Sequence, residues 1–225
     1  MEAAAKLRAG AAGAPESFAW SRLAPACCLR GWVHDRALLP LVRALWPATV
    51  EGLQHLEGLP LPAIFAASHC SHLDTPVVLA ALPARIRQRL AVAAAQDYFF
   101  ANRVSAAVAA GLFNAVPVSR HGSARGSLDR CVALLRDEWS LLIYPQGSRC
   151  PEMTFRPGVG FLARTTGLPV VPVAIDGTQQ GWAKGSPLPQ PYGVRVAFGR
   201  PAVFEAGLSA MEIALAVEAR VRAML

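Results

Sequence analysis

From Val50-Glu51-Gly52 to the C terminus, short apolar runs alternate with segments of helical periodicity, and this alternation most restricts what the chain can fold into. Ala63-Ile64-Phe65-Ala66-Ala67 is apolar at every position and reads as a short buried strand. Leu90-Ala91-Val92-Ala93-Ala94, Leu141-Leu142-Ile143-Tyr144 and Val170-Val171-Pro172-Val173-Ala174-Ile175 read the same way. Pro172 lacks an N–H, so it marks an edge or bulge position in its strand. Val194-Arg195-Val196-Ala197-Phe198 alternates as a half-buried strand. Helices are expected over Pro76–Leu82, over Tyr98–Ala110, and from a Ser127 cap through Leu128, Val132 and Leu135 to Trp139. A last helix opens on the capping box Ser209-Ala210-Met211-Glu212 and carries Ile213, Val217, Val221 and Met224 on one face. Strands alternating with helices predict an α/β fold: a single domain with a mixed, mostly parallel sheet flanked by helices. The 225 residues suffice for one such core.

The N-terminal part differs. Residues 1–16 are rich in Ala and Gly and have no apolar core of a signal peptide, so a flexible tail is expected there. Residues 17–46 carry Phe18, Trp20, Trp32 and Trp46 among leucines, with Arg22, Arg30, Arg36 and Arg43 between them. This N-terminal amphipathic helical segment suits a membrane interface, and equally suits a helix covering the sheet. Residues 47–225 are then the α/β domain. Hydrophobic residues make up 53% and charged ones 16%, yet no apolar run reaches the roughly 18 residues of a spanning helix. Such a chain is expected to lie on a membrane or hold an apolar ligand without crossing the bilayer. Its net charge of +7 favours anionic lipid head groups or phosphorylated ligands. The basic residues are dispersed and not interleaved with aromatics, so no nucleic-acid partner is expected.

Ser68-His69-Cys70-Ser71-His72-Leu73-Asp74 joins the strand at 63–67 to the helix at 76–82. A neutral imidazole can take a proton from a hydroxyl near neutral pH, and a nearby carboxylate can fix its tautomer and support the cation formed. A turn between strand and helix would bring His69 and Asp74 together at the carboxyl end of a strand, where open α/β sheets place ligands. The five cysteines, Cys27, Cys28, Cys70, Cys131 and Cys150, are odd in number and irregularly spaced. They read as reduced thiols, with no disulfide framework and no zinc site. His69, His72 and Asp74 lack a fourth ligand at suitable spacing, so no metal is expected. There is no Gly-rich nucleotide loop and no Gly-x-Ser-x-Gly elbow.

Four segments stand in order along the chain. They are His69-Cys70-Ser71-His72-Leu73-Asp74; Gly111 to Arg120; Tyr144-Pro145-Gln146-Gly147-Ser148-Arg149 followed by Phe155-Arg156-Pro157-Gly158; and Leu168-Pro169-Val170-Val171-Pro172-Val173. In this order the chain closely resembles the glycerolipid acyltransferase family, whose best-known members are the lysophosphatidic acid acyltransferases. The resemblance covers about residues 45–200.

The resemblance implies transfer of a fatty acyl chain from acyl-CoA or acyl carrier protein to a lysophospholipid hydroxyl, with lysophosphatidic acid the expected acceptor. It implies His69 as general base and Asp74 as its orienting carboxylate. Arg120, Gln146, Gly147, Ser148 and Arg149 are implied to bind the acceptor, and Pro172 to support the site and the acyl donor. No cofactor is implied beyond the acyl carrier as co-substrate. The expected place of action is the cytoplasmic face of a membrane, held peripherally. Two departures stand out: the family usually has Glu where this chain has Gln146, and Asn where it has Ser68. The first opens a different acceptor alcohol. A non-catalytic lipid-binding module is the reading from another class, and the intact His69 and Asp74 argue against it.

Overall fold

The structure, a computed structural model, describes residues 18–119, 124–147, 153–182, 188–205 and 207–225. The expected tail over residues 1–16 and the expected ligands Arg120, Ser148 and Arg149 lie outside the described residues.

Seven strands form one sheet: β1 (Ala48–Glu51), β2 (Ile64–Ala67), β3 (Leu90–Ala95), β4 (Ala115–Val118), β5 (Ser140–Ile143), β6 (Val170–Asp176) and β7 (Val194–Phe198). Their order is β1-β7-β6-β2-β5-β3-β4. All neighbours are parallel except the β6–β7 pair. This is the mixed, mostly parallel sheet that the alternation predicts. The longer helices are α1 (Ala24–Val33), α2 (Leu39–Leu45), α3 (Asp74–Ala81), α4 (Arg103–Phe113), α5 (Ala124–Arg136), α6 (Gly158–Thr166) and α7 (Ala210–Arg222).

The continuous apolar run of β2 is explained by cores on both of its faces. Phe65 and Ala67 join a core with Leu39 and Val42 of α2 and Val77 and Val78 of α3. Ile64 and Ala66 join a second core with Leu135, Leu162 and Val217 from α5, α6 and α7. Burying each large side chain of this kind stabilises by roughly 1.5–3 kcal/mol. The capping box forms as read, with the Ser209 hydroxyl accepting from the Glu212 N–H and the Glu212 carboxylate accepting from the Ser209 N–H.

Several boundaries differ from expectation. The helix expected over Tyr98–Ala110 is two pieces, a turn at Gln96–Phe99 and then α4, because the Asn102 side chain accepts from the Ser105 N–H and starts a new helix. Ser127 does not cap α5, which begins at Ala124; its buried hydroxyl accepts instead from the Ser119 N–H across the β4–α5 loop. Trp139 lies beyond the end of α5 and is buried. Pro172 is not on an edge, since β6 lies between β2 and β7. It marks a bulge: from Val173↔Phe198 to Val170↔Ala202 the chain takes three steps on one strand and four on the other.

The N-terminal segment is built from a turn of 3₁₀ helix (Ala19–Arg22), α1, a π-helical turn (His34–Leu38) and α2. Leu39, Val42 and Trp46 are buried in the core, while Trp20, Leu29, Trp32 and Leu41 stay exposed. Inward, Arg30 and His34 donate to the carbonyls of Gly111 and Leu112, which have no helical partners at the end of α4. Basic side chains are favoured at such a terminus. Among the described residues no helix is long and apolar enough to cross a membrane.

Candidate active site

β2 sits where the chain's crossovers part: β3 and β5 lie on one side of it, β6 on the other. Loops leaving the carboxyl ends of β2 and β5 therefore face one another across a crevice, the usual ligand position in an open sheet. His69 leaves β2 and Tyr144-Pro145-Gln146-Gly147 leaves β5.

α3 begins at Asp74, two residues earlier than its apolar periodicity implies, and this places the carboxylate in the first helical turn. Asp74 is fully buried. Its Oδ2 accepts from the His69 Nδ1–H at 2.7 Å and from the backbone N–H groups of Cys70 and Ser71 at 2.8 and 2.9 Å. Its Oδ1 accepts from the Thr178 hydroxyl at 2.5 Å. Four donors thus converge on this carboxylate, which sits in the first turn of a helix, where a negative charge is favoured. With Nδ1 donating to it, the neutral His69 ring carries its lone pair on Nε2.

The ring is also held on its face. Tyr144 stacks against it with centroids 4.2 Å apart, and the Tyr144 hydroxyl shares a 2.8 Å hydrogen bond with Thr75. Burial, with the Asp74 charge adding to it, pushes the Tyr144 hydroxyl well above its ordinary range. Ser68 donates to the Ile175 carbonyl and accepts from the Ile175 N–H, tying the start of the loop to β6. Cys70 follows His69 in the loop and is half-buried. Burial, then the charges of Asp74 and Asp176, push its thiol up, so it stays protonated at neutral pH.

His69 opens onto a cavity of about 920 Å³. One wall is Val92-Ala93-Ala94-Ala95 of β3 with Ala115 of β4, and Phe113, Leu128 and Val159 also line it. The small side chains of the first wall leave the space that larger residues would fill. This volume is at the upper end for small-molecule sites. Arg156 both lines the cavity and is exposed, so it stands where the cavity meets solvent. It forms no ion pair with a described residue. Gly147, with φ +71°, brings its backbone beneath the Arg156 side chain, where a Cβ would stand 3.2 Å from Nε.

Of the expected site residues, the structure brings together His69, Asp74, Gln146 and Gly147. Gln146 is turned inward and is 6% exposed; its side-chain carbonyl accepts from the His69 backbone N–H at 2.6 Å. Pro172 does not line the cavity and packs against Gly199, although its strand holds Ser68. Sequence reasoning did not single out Tyr144, Thr75, Thr178 or Arg156. Tyr144 and Arg156 lay within quoted motifs, but Thr178 is 104 residues from Asp74 and no local signal points to it. Among the described residues no three His, Cys, Asp or Glu side chains are grouped to hold a metal ion.

A two-sided α/β sheet with a histidine–carboxylate pair over a deep apolar cavity defines the class. The family model described as Acyltransferase matches residues 48–176, more than half of the chain, and the chain belongs to that family. This agrees with the glycerolipid acyltransferase resemblance of its four motifs. Over 148 residues the chain is 27% identical to the 1-acyl-sn-glycerol-3-phosphate acyltransferase BAT2, chloroplastic, of Brassica napus, covering 61% of this chain and 39% of the relative. It has the same identity and coverage of this chain with LPAT1, chloroplastic, of Arabidopsis thaliana, at 38% of that relative. The chain thus spans about two fifths of the length of these relatives. Its fold is similar to the crystal structure of the 1-acyl-sn-glycerophosphate (LPA) acyltransferase PlsC from Thermotoga maritima, with a TM-score of 0.67 and 22% identity over 88% of this chain and 78% of that one.

Proposed function

We propose that the chain transfers a fatty acyl group from an acyl thioester, carried on coenzyme A or acyl carrier protein, to the hydroxyl of a lysophospholipid. Lysophosphatidic acid is the acceptor this reading favours, with phosphatidic acid as product. The observation that carries it is the 2.7 Å His69–Asp74 bond at the wall of an apolar cavity.

Nε2 of His69 takes the acceptor's hydroxyl proton as that oxygen attacks the thioester carbonyl. The carbon–sulfur bond breaks, and the leaving thiolate recovers the proton from the imidazolium. Asp74 stabilises the cation between these steps. The thioester is already activated, so no acyl-enzyme is needed, and the protonated Cys70 offers none. Positioning of the two substrates supplies much of the rate. The cavity takes the acyl chain, and Arg156 at its opening offers a guanidinium to the acceptor phosphate. Arg120 and Arg149 belong to the same proposed phosphate site through the family motifs. The exposed Trp20, Leu29, Trp32 and Leu41 support peripheral contact with a lipid surface, on the cytoplasmic face of a membrane.

Labelled palmitoyl-CoA incubated with a panel of lysolipids and other lipid alcohols tests this. Label is expected in phosphatidic acid and absent with His69→Ala. Label in another lipid would replace the acceptor and keep the chemistry. Turnover surviving in His69→Ala would remove the base, and no transfer from either carrier would favour a lipid-binding module.

A further inference from the structure

Gln146 is placed to act on His69 through the backbone. It lies in the tight turn after β5, closed by the Gly147 N–H donating to the Tyr144 carbonyl at 3.0 Å. The 2.6 Å bond from the His69 N–H to the Gln146 carbonyl pins the backbone at the residue whose side chain faces the cavity. The bond is part-buried, where an unmet N–H would be costly. Asp74 already accepts four hydrogen bonds, three of them at Oδ2. A glutamate of nearly the same shape could accept the same bond. It would also set a second carboxylate beside the histidine–aspartate pair.

We propose that Gln146 is a positioning residue: its uncharged carbonyl fixes the His69 backbone and leaves Asp74, among the described residues, as the one carboxylate bonded to the imidazole. The inference rests on the general-base reading of His69. A negative charge a few ångströms from an imidazole favours its protonated form. The amide adds no such charge. Among the described residues, the charged and titratable groups around His69 are Asp74, which bonds it, Tyr144, which stacks on it, His72 and Arg156, which line the same cavity, and Cys70, its chain neighbour, whose thiol feels Asp74 and Asp176. All are common to the protein and its Gln146 variants, so a difference between them reports residue 146.

The test compares the full chain with Gln146→Glu and Gln146→Leu through pH profiles of kcat/KM and NMR titration of the His69 imidazole nitrogens. With Gln146→Glu the acidic limb and the imidazole midpoint are expected to move up by about one pH unit. With Gln146→Leu the limb stays in place, kcat falls roughly ten- to a hundredfold, and acceptor KM changes little. The titration reads the charge effect even if a variant is inactive, and Gln146→Glu keeps the bond should Gln146→Leu fail to fold. Coincident limbs and midpoints for Gln146→Glu and the unmodified protein would overturn the proposal, as would an unchanged kcat in folded Gln146→Leu. Turnover persisting in His69→Ala would instead remove the base reading, and this inference with it.

Discussion

At Arg156 a side chain and a cavity meet in a way that neither neighbouring residue predicts. Its guanidinium is exposed, lines the opening of the cavity and lies over the backbone of Gly147. An anionic head group arriving there loses little of its solvation before it meets the charge, so the contact is worth most in binding. Arg156→Ala is expected to raise the acceptor KM about tenfold and leave the donor KM within a factor of two. Steady-state kinetics with each substrate varied in turn check this, and equal changes in both constants would count against a phosphate contact. The same scale shows what local sequence can carry. His69 and Asp74 are five residues apart, so one strand-to-helix turn brings them together, and their pairing was readable. Gln146 was singled out from its motif, but its bond to the His69 N–H spans 77 residues and depends on how β5 pairs with β2.

Among the elements, α6 shows how a helix can hide. Gly158-Val159-Gly160 at its start has poor helix propensity, and the helix was not read from the chain. Packing explains the glycine. A Cβ on Gly160 would stand 1.9 Å from the Ala210 carbonyl oxygen, at the start of α7. The close approach lets α6 and α7 cover the sheet together, with Val159, Leu162, Ile213 and Val217 in one core. Gly160→Ala is expected to destabilise by about 1–3 kcal/mol, because the backbone atom it meets cannot rotate away. Urea denaturation of both proteins measures it, and an unchanged midpoint would show that the two helices can shift apart freely. Strands were easier to read than helices here. An apolar run of four to six residues between polar turns has one stable place in an α/β domain, whereas the break at Asn102 hangs on a single side-chain bond.

Over the whole molecule, the N-terminal segment both covers the sheet and presents apolar residues outward, so neither of its two readings excludes the other. His34 joins it to α4 through a 2.7 Å bond to the Leu112 carbonyl. Burial is the main cause that lowers the His34 pKa, with Arg87 and Arg30 acting the same way against the bond to Leu112 and the Asp35 charge. The unfolded chain therefore binds a proton here more readily than the folded one. The contribution of the neutral, buried His34 is fully present above the ordinary value of 6.5 and is lost as the pH falls from there through the lowered folded value. Melting temperatures measured from pH 7.5 to 5 are expected to fall more steeply for the unmodified protein than for His34→Gln, and parallel curves would refute this. By itself the sequence determined the α/β class, the mostly parallel sheet and the histidine–aspartate pair, because all three follow from periodicity and spacing within a few residues. Only the tertiary structure decided the strand order, the cavity walled by Ala93, Ala94 and Ala115, the inward turn of Gln146 and the position of Thr178 against Asp74. These are contacts between residues far apart in the chain, set by which apolar faces pack together and how the crossovers close.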